Sequence, residues 1–157
     1  MTAGTSIPES LWPYALAIWG RPGVEPLMLE LQDAHGQCPP YLLWSLWLAA
    51  SGRAAGDDAL SAGAALARAW CEVAVEPLRA LRRSLKAGPA PTHRQRLRAG
   101  VQSLELEAER LLLQMLEEAS PTAAGAASPR AVLRAAVAAW GDDAPAALLD
   151  RLAELAA

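Results

Sequence analysis

The stretch PPYLLWSLWLAAS, residues 39–51, decides the fold because it has the composition of a helix and is apolar on almost every side. From Tyr41 to Ala50 only Ser45 interrupts the apolar run, which is about half of the ~20 residues that span a bilayer. A helix that is apolar all round normally lies in the middle of a helical bundle. We therefore predict a central helix that begins at Pro39 and ends before Gly52.

The segments around this stretch carry helix signals and lack strand signals. Ala, Leu, Arg and Glu dominate them, Phe is absent, and β-branched residues do not alternate over any sustained run. Upstream, Ser10 is placed to cap a first helix that runs toward Gly20, and a second helix is predicted to end at Gly36. We expect an all-α fold, a compact helical bundle of about 6–8 helices with a long helical hairpin.

The first arm of that hairpin is predicted from a helical stretch interrupted by a proline. After a loop expected at Asp57–Ser61, the helix reaches Pro77, which lacks an N–H and should kink or restart it. Beyond Pro77, we expect Leu78, Leu81 and Leu85 to continue the inward face.

The second arm is the longest predicted helix. The loop AGPAPT, residues 87–92, separates it from the first arm, and the helix is expected near Arg94–Ala119. Alternating intervals of four and three residues predict an antiparallel packing seam or a coiled-coil seam. The residues of this seam are Leu97, Val101, Leu104, Ala108, Leu111 and Met115.

A short segment of small residues bounded by prolines, SPTAAGAASP at 120–129, is the predicted linker. It divides the chain into a helical bundle domain at 1–119 and a C-terminal helical pair at 130–157. We expect that pair to dock on the same domain.

Several of these segments together resemble a known family. They are the PGV turn at 22–24, the block from LQD to LLWSLWL at 31–48, and the helix PLRALRRSLK at 77–86. They are similar to a bacterial family of small all-helical proteins known only as a domain of unknown function. The resemblance covers roughly residues 11–115. It implies an all-α, soluble fold and implies no activity.

The N-terminus and the cysteines indicate a compartment. The start MTAGTSIPES lacks the basic residues and apolar run of a secretory signal, so a cytoplasmic protein is expected. Cys38 and Cys71 are too few for a disulfide framework and are expected to be buried and reduced. With His35 and His93 they would make four zinc ligands, but the spacing has no second tight pair. No metal ligand and no cofactor is therefore assigned.

The strongest charge signal is a basic cluster. Seven of the fourteen Lys and Arg residues lie between Arg79 and Arg98, although the net charge is -3. Between Pro77 and Leu104 there is no acidic residue. Four of the seven are predicted to form one stripe that faces away from the leucines, and the others begin the next helix, where the helix dipole disfavours positive charge. The candidate anion- or partner-binding residues are Arg79, Arg82, Arg83, Lys86, Arg94, Arg96 and Arg98.

Two functions and one structural interpretation remain open for the basic cluster. The favoured function is a non-enzymatic protein–protein interaction or adaptor module whose hairpin tip docks an acidic protein surface. The alternative is a module that binds RNA or a nucleoprotein through phosphates, although His93 is the only ring available for stacking. Structurally, the cluster could instead be a solvated face neutralised by a distant helix carrying Glu30 and Asp33. A homo-oligomer through the long helix is a further alternative, and no membrane insertion is expected.

Aromatic residues form the second candidate feature. Trp12, Trp19, Trp44 and Trp47 could build the core or line a groove, and core packing is favoured because helices without Phe need large side chains at their junction. A groove would require some of them to be exposed.

Catalysis has little support in the sequence. There is no phosphate loop, no dinucleotide motif and no nucleophile with a base at a recognisable spacing. The acidic pairs at 57–58 and 142–143 immediately precede predicted helices, where capping explains them. No catalytic residue is assigned, and a small enzyme with a site between helices is the third alternative.

Overall fold

The computed structural model describes residues 9–157, and the elements below are those of that range. The helices are α1 (Leu11–Trp19), α2 (Val24–His35), α3 (Pro39–Ala50), α4 (Asp57–Trp70), α5 (Glu76–Ser84), α6 (Pro91–Glu118), α7 (Pro129–Trp140) and α8 (Ala146–Ala156). A π-helical turn at Cys71–Val75 joins α4 to α5 without an intervening loop. The described residues contain no strand, and an isolated bridge joins Arg53 to Ala124. The prediction of an all-α bundle with a long hairpin is confirmed.

The central position predicted for α3 is confirmed. Every residue from Pro39 to Leu48 is buried, and α1, α2, α4, α6 and α7 all pack against this helix. The Tyr41 hydroxyl lies 2.9 Å from the carbonyl oxygen of Leu60 and 3.2 Å from that of Ala136, which ties α4 and α7 to α3. All-round burial follows from the apolar composition that the sequence shows.

The start of α1 is capped from another helix. Ser10 occupies the N-cap position as predicted, but its side chain makes no capping hydrogen bond to its own helix. Instead, the Leu11 N–H donates to the Glu117 carboxylate of α6 over 3.2 Å. Glu117 lies near the C-terminus of α6. Because a carboxylate is favoured at the positive end of a helix dipole, Glu117 stabilises the N-terminus of α1.

Two predicted boundaries downstream of α3 are wrong. The expected loop at Asp57–Ser61 is the first part of α4, because Asp57 and Asp58 lie in the first turn, where the dipole favours acidic side chains. The long helix begins earlier than expected, at Pro91, since proline suits the first turn of a helix. The restart predicted at Pro77 is confirmed, because α5 begins at Glu76 directly after the π-helical turn, with Pro77 in its first turn.

The inward face predicted for α5 is wrong in part. Leu78 and Leu85 are half-buried, but Leu81 is 45% exposed, whereas Arg79 and Arg82 are half-buried toward α6. Arg82, one residue after Leu81, takes the inward position, where its guanidinium pairs with the buried carboxylate of Glu105. Apolar periodicity therefore assigns this position to the wrong residue.

The seam predicted for α6 is also wrong in part. Val101 and Ala108 are buried and Met115 is half-buried, but Leu97, Leu104 and Leu111 are all exposed. The seam consists of two alternating columns of positions. The column predicted at Leu97, Leu104 and Leu111 lies one residue later in the structure. That column contains Glu105 and Leu112, both buried. The interval of four and three residues is kept, and the column differs because two arginines of α5 hold a carboxylate there.

The segment between α6 and α7 is hydrogen-bonded to the loop after α3. The Ala54 N–H donates to the Ala123 carbonyl over 2.9 Å, and the Gly125 N–H donates to the Gly52 carbonyl over 3.0 Å. A Cβ at Gly125 would lie 2.6 Å from the Cα of Ala54, so only glycine permits this approach. These contacts bring α7 onto α3 and α4.

Candidate binding groove

An open groove of about 670 Å³ is bordered by α1, α2, the start of α3, α5 and α6. We call it the groove. Its size lies within the usual range of ligand sites, and it is open rather than enclosed. The two arms of the hairpin contribute its charged residues, whereas α1 contributes two tryptophans. It is therefore a surface assembled from five separate helices.

The groove is lined by large apolar side chains that the fold leaves in solvent. Leu16 is 54% exposed, Leu29 is 41% exposed and Leu106 is 59% exposed, and each comes from a different helix. Trp12 and Trp19 are half-buried beside them. Exposed apolar side chains that cluster in a concave surface are typical of binding sites, whereas scattered ones are ordinary.

Charged residues of the hairpin line the groove beside these apolar residues. The Glu105 carboxylate, with 8% of its side chain exposed, accepts hydrogen bonds from Arg79 at 3.0 Å and from Arg82 at 2.5 Å. Burial alone would raise the pKa of Glu105, but the hydrogen bonds from Arg82 and Arg79 outweigh it and hold that pKa below its ordinary value. Arg79 also donates to Glu109 over 3.2 Å. Burial raises the pKa of Glu109, against the opposing effect of Arg79.

The basic cluster is not one free stripe. Arg79 and Arg82 belong to the ion pairs with Glu105, and the exposed Arg83 donates to Asp33 of α2 over 3.2 Å. Asp33 is one of the acidic residues that the sequence offered for neutralisation, whereas Glu30 makes no ion pair with the cluster. Arg94 turns back over the hairpin loop. Its guanidinium donates to the carbonyls of Leu85, Gly88 and Pro89.

Three cations of the cluster are left at the hairpin tip. Among residues 9–157, no ion pair or side-chain hydrogen bond involves Lys86, Arg96 or Arg98, and the Arg98 Nε is buried without a partner. Arg98 lies one turn before the groove residue Gln102, on the same side of α6. Arg96 points roughly 200° away around the helix. The cluster therefore places Arg98, and not Arg96, at the end of the groove.

The four candidate aromatic residues divide into two pairs. Trp44 and Trp47 are buried in the core, at 1% and 0% exposure, whereas Trp12 and Trp19 line the groove. The sequence offered a groove for these tryptophans as the alternative to core packing and did not indicate which helices border it. One signal was present, because Trp12, Leu16 and Trp19 are spaced as one helical stripe beside the buried face of α1. A helix with two apolar faces has more apolar surface than one core contact needs.

The cysteines are brought together without the histidines. Cys38 Sγ lies 3.7 Å from Cys71 Sγ, and both line a second, smaller cavity in which neither His35 nor His93 takes part. In the part of the chain that the structure describes, no three His, Cys, Asp or Glu residues gather in a metal-binding arrangement.

The comparison with known families covers the helices that form the groove. The family described as "Protein of unknown function (DUF2390)" matches residues 10–116. The chain belongs to this family. The match includes α1 to α5 and nearly all of α6, which confirms the resemblance drawn from the PGV turn, the LQD to LLWSLWL block and the PLRALRRSLK helix. It ends before α7.

No curated protein and no solved structure matches the chain. None of the helices within residues 9–157 has both the length and the apolar composition needed to cross a membrane.

Proposed function

We propose that this protein is a protein–protein interaction module that binds an amphipathic helix of its partner in the groove, with acidic residues of that helix at the hairpin tip. The observation that carries the proposal is the convergence of Leu16, Leu29 and Leu106 on one groove. Recognition of this kind places the apolar face of a helix in a hydrophobic groove. It keeps the adaptor function expected from the sequence and moves its main contact from the basic cluster to the groove.

Charge decides which amphipathic helix fits. Lys86 and Arg98 have no acidic partner at the tip among residues 9–157, and complementary charges give an interface its orientation and its association rate. An acidic end on the partner helix would meet them. The exposed pair between Arg83 and Asp33 contributes little to stability, so Arg83 is available to a partner as well.

The carboxylates of the groove favour a protein helix over RNA. Glu25 and Glu107 line it without an ion pair in the described part of the chain, and they would repel a phosphate backbone that followed its length. The tip by itself lacks tryptophan or tyrosine for base stacking. An RNA partner is therefore the alternative occupant, and nuclease treatment distinguishes it from a protein.

The matched positions Leu106 and Leu104 test the location of the site. Both are exposed leucines of α6, at 59% and 58%, but only Leu106 lines the groove. A photo-crosslinking residue is placed at either position in the living cell, and the crosslinked segments are identified by mass spectrometry with and without nuclease treatment. We expect position 106 to give a protein segment of amphipathic helical pattern with acidic residues at one end. Equal labelling from both positions, or nuclease-sensitive material at 106, would contradict the proposal.

The purified segment then tests affinity and charge. Leu106→Glu should weaken its binding at least tenfold, because a central apolar contact is worth on the order of 1–2 kcal/mol or more, whereas Leu104→Glu should leave it unchanged. Arg98→Glu should weaken binding and flatten its salt dependence more than Arg96→Glu, which makes the same charge change on the other side of α6. Calorimetric titration at two salt concentrations measures both effects. A loss with Leu104→Glu alone would place the site on the opposite face.

A further inference from the structure

Two cysteines that are distant in sequence lie side by side in the fold. Cys38 precedes the first residue of α3, and Cys71 is the first residue of the π-helical turn. Their sulfur atoms are 3.7 Å apart and joined by a hydrogen bond. A disulfide bond is about 2.05 Å long, so the two sulfur atoms must approach each other by roughly 1.7 Å before it can form. Turns of this kind recur at functional sites.

A small cavity gives a reagent access to both sulfur atoms. Its volume is about 110 Å³, it is partly open to solvent, and Cys38, Cys71, Arg79 and Gln37 line it. About 10–15 Å³ of such volume holds one water molecule, so the cavity is large enough for a molecule the size of hydrogen peroxide. Gln37 is 3% exposed, and its Oε1 is a buried acceptor without a donor among the described residues. That oxygen can accept a hydrogen bond from a peroxide O–H.

The two thiols differ in acidity. The pKa of Cys71 is lowered, first by its hydrogen bond with Cys38 and then by Arg79, which together outweigh burial and the carboxylates of Glu76 and Glu109. The pKa of Cys38 is raised well above its ordinary value by its hydrogen bond to Cys71 and by burial. Thiolates, not thiols, attack oxidants, and the Arg79 guanidinium that lines the cavity favours the thiolate of Cys71, so we expect Cys71 to attack first and Cys38 to be the second thiol.

We propose that Cys38 and Cys71 form a redox-active dithiol that hydrogen peroxide converts to an intrachain disulfide. The Cys71 sulfur attacks one peroxide oxygen: an S–O bond forms, the O–O bond breaks, and the departing hydroxide takes a proton to become water. The Cys38 sulfur then attacks the Cys71 sulfur: the S–S bond forms, the S–O bond breaks, and the hydroxyl leaves as a second water with the Cys38 proton. Two thiols are oxidised and one peroxide is reduced to two waters. This inference is independent of the proposed groove function.

The test uses the full chain, fully reduced and then treated with graded hydrogen peroxide. After quenching, the protein is unfolded, its free thiols are alkylated, and intact mass and peptide mapping are measured. We expect both thiols to be lost together, a single Cys38–Cys71 crosslink within one chain, and complete recovery with dithiothreitol. The proposal would be overturned if both thiols of the folded chain stayed free at peroxide concentrations that oxidise the thiols of the urea-unfolded chain. A crosslink between chains, or sulfinic acid as the main product, would also overturn it.

Single substitutions assign the two roles. In Cys38→Ala the reaction should stop at a sulfenic acid on Cys71, which dimedone traps, whereas Cys71→Ala should leave Cys38 unreactive at the same dose. The reverse result, or no trapped sulfenic acid in Cys38→Ala, would contradict the assigned chemistry. Circular dichroism checks that each variant is folded. If a variant does not fold, peptide mapping of the unsubstituted chain still decides whether the Cys38–Cys71 disulfide forms.

Discussion

A single glycine permits the close packing of α4 on α3. Gly63 is buried, and a Cβ built on it would lie 2.4 Å from two ring atoms of Trp44. Trp44 is itself 1% exposed, so the ring has no room to move aside. Gly100 in α6 is the opposite case, because a Cβ there would meet nothing within 4 Å. Both glycines lie inside helices, where the residue itself is unfavourable.

These two glycines should respond in opposite directions to the same change. We expect Gly63→Ala to lower the free energy of unfolding by about 1–3 kcal/mol, since overpacking outweighs the gain in helix propensity. Gly100→Ala should raise it by about 0.5–1 kcal/mol, because only the propensity changes. Urea unfolding followed by circular dichroism measures both. A stabilised Gly63→Ala would mean that α3 and α4 are not packed this closely.

At the scale of elements, α5 and α6 are held together by the ion pairs around a buried carboxylate. Glu105 accepts from both Arg79 and Arg82 at the centre of the hairpin. A buried ion pair adds little over an apolar pair, but removing one partner leaves the remaining charges without compensation. Several leucines that the apolar pattern assigns to the interface between α5 and α6 are exposed. The stability of the hairpin therefore depends strongly on Glu105.

We expect Glu105→Gln to destabilise the protein by about 2–4 kcal/mol near pH 7, and the loss should depend on pH. The folded pKa of Glu105 is lowered, so its contribution is present above the ordinary glutamate pKa of about 4.3 and is lost as pH falls through the folded value. The pKa of Glu109 is raised in the folded protein, so Glu109 stabilises the fold as the pH falls. It does so in the starting protein and in Glu105→Gln alike. Urea titrations between neutral and acidic pH should show the two curves converging.

The exposed neighbour Glu107, which makes no ion pair or side-chain hydrogen bond in the described part of the chain, provides the control. Glu107→Gln should leave stability within about 0.5 kcal/mol of the starting protein at every pH, as surface substitutions usually do. A constant difference between Glu105→Gln and the starting protein on acidification would show that the carboxylate charge does not stabilise the hairpin.

At the scale of the whole molecule, the C-terminal helices share the core of the N-terminal ones. Leu133 of α7 is 0% exposed, and the Trp140 indole N–H donates to the Gly36 carbonyl over 2.8 Å. The Trp44 N–H donates to Ser120 Oγ over the same distance. The family match ends before α7, although the core continues across that boundary.

We expect Leu133→Ala to lower the stability of the whole chain by about 2–5 kcal/mol in one cooperative transition. Tryptophan fluorescence, far-ultraviolet circular dichroism and hydrogen exchange in α1 should shift together. The control is Arg134→Ala in the same helix, which removes an exposed ion pair with Asp150 and should cost less than about 1 kcal/mol. If the hydrogen exchange of α1 were the same with and without Leu133→Ala, residues 130–157 would be an independent unit.

The helices and their order were predictable because their signals are local. Gly36 marked the end of α2, Pro39 and Gly52 marked the two ends of α3, and the uniform apolarity of α3 required a central position. The face that each hairpin arm turns inward was not predictable. Leu81 and Leu104 follow apolar periodicity and are exposed, whereas Glu105 breaks it and is buried.

The sequence by itself therefore determined an all-α chain with a central apolar helix, a hairpin and an excess of cations near the hairpin tip. Only the tertiary structure decided that Arg79 and Arg82 are neutralised, that Leu16, Leu29 and Leu106 meet in one groove, and that Cys38 contacts Cys71. The physical reason is that caps and periodicity act within one helix, whereas these sites depend on the rotation of one helix relative to another. That rotation is set by packing and by the burial of Glu105 between two arginines.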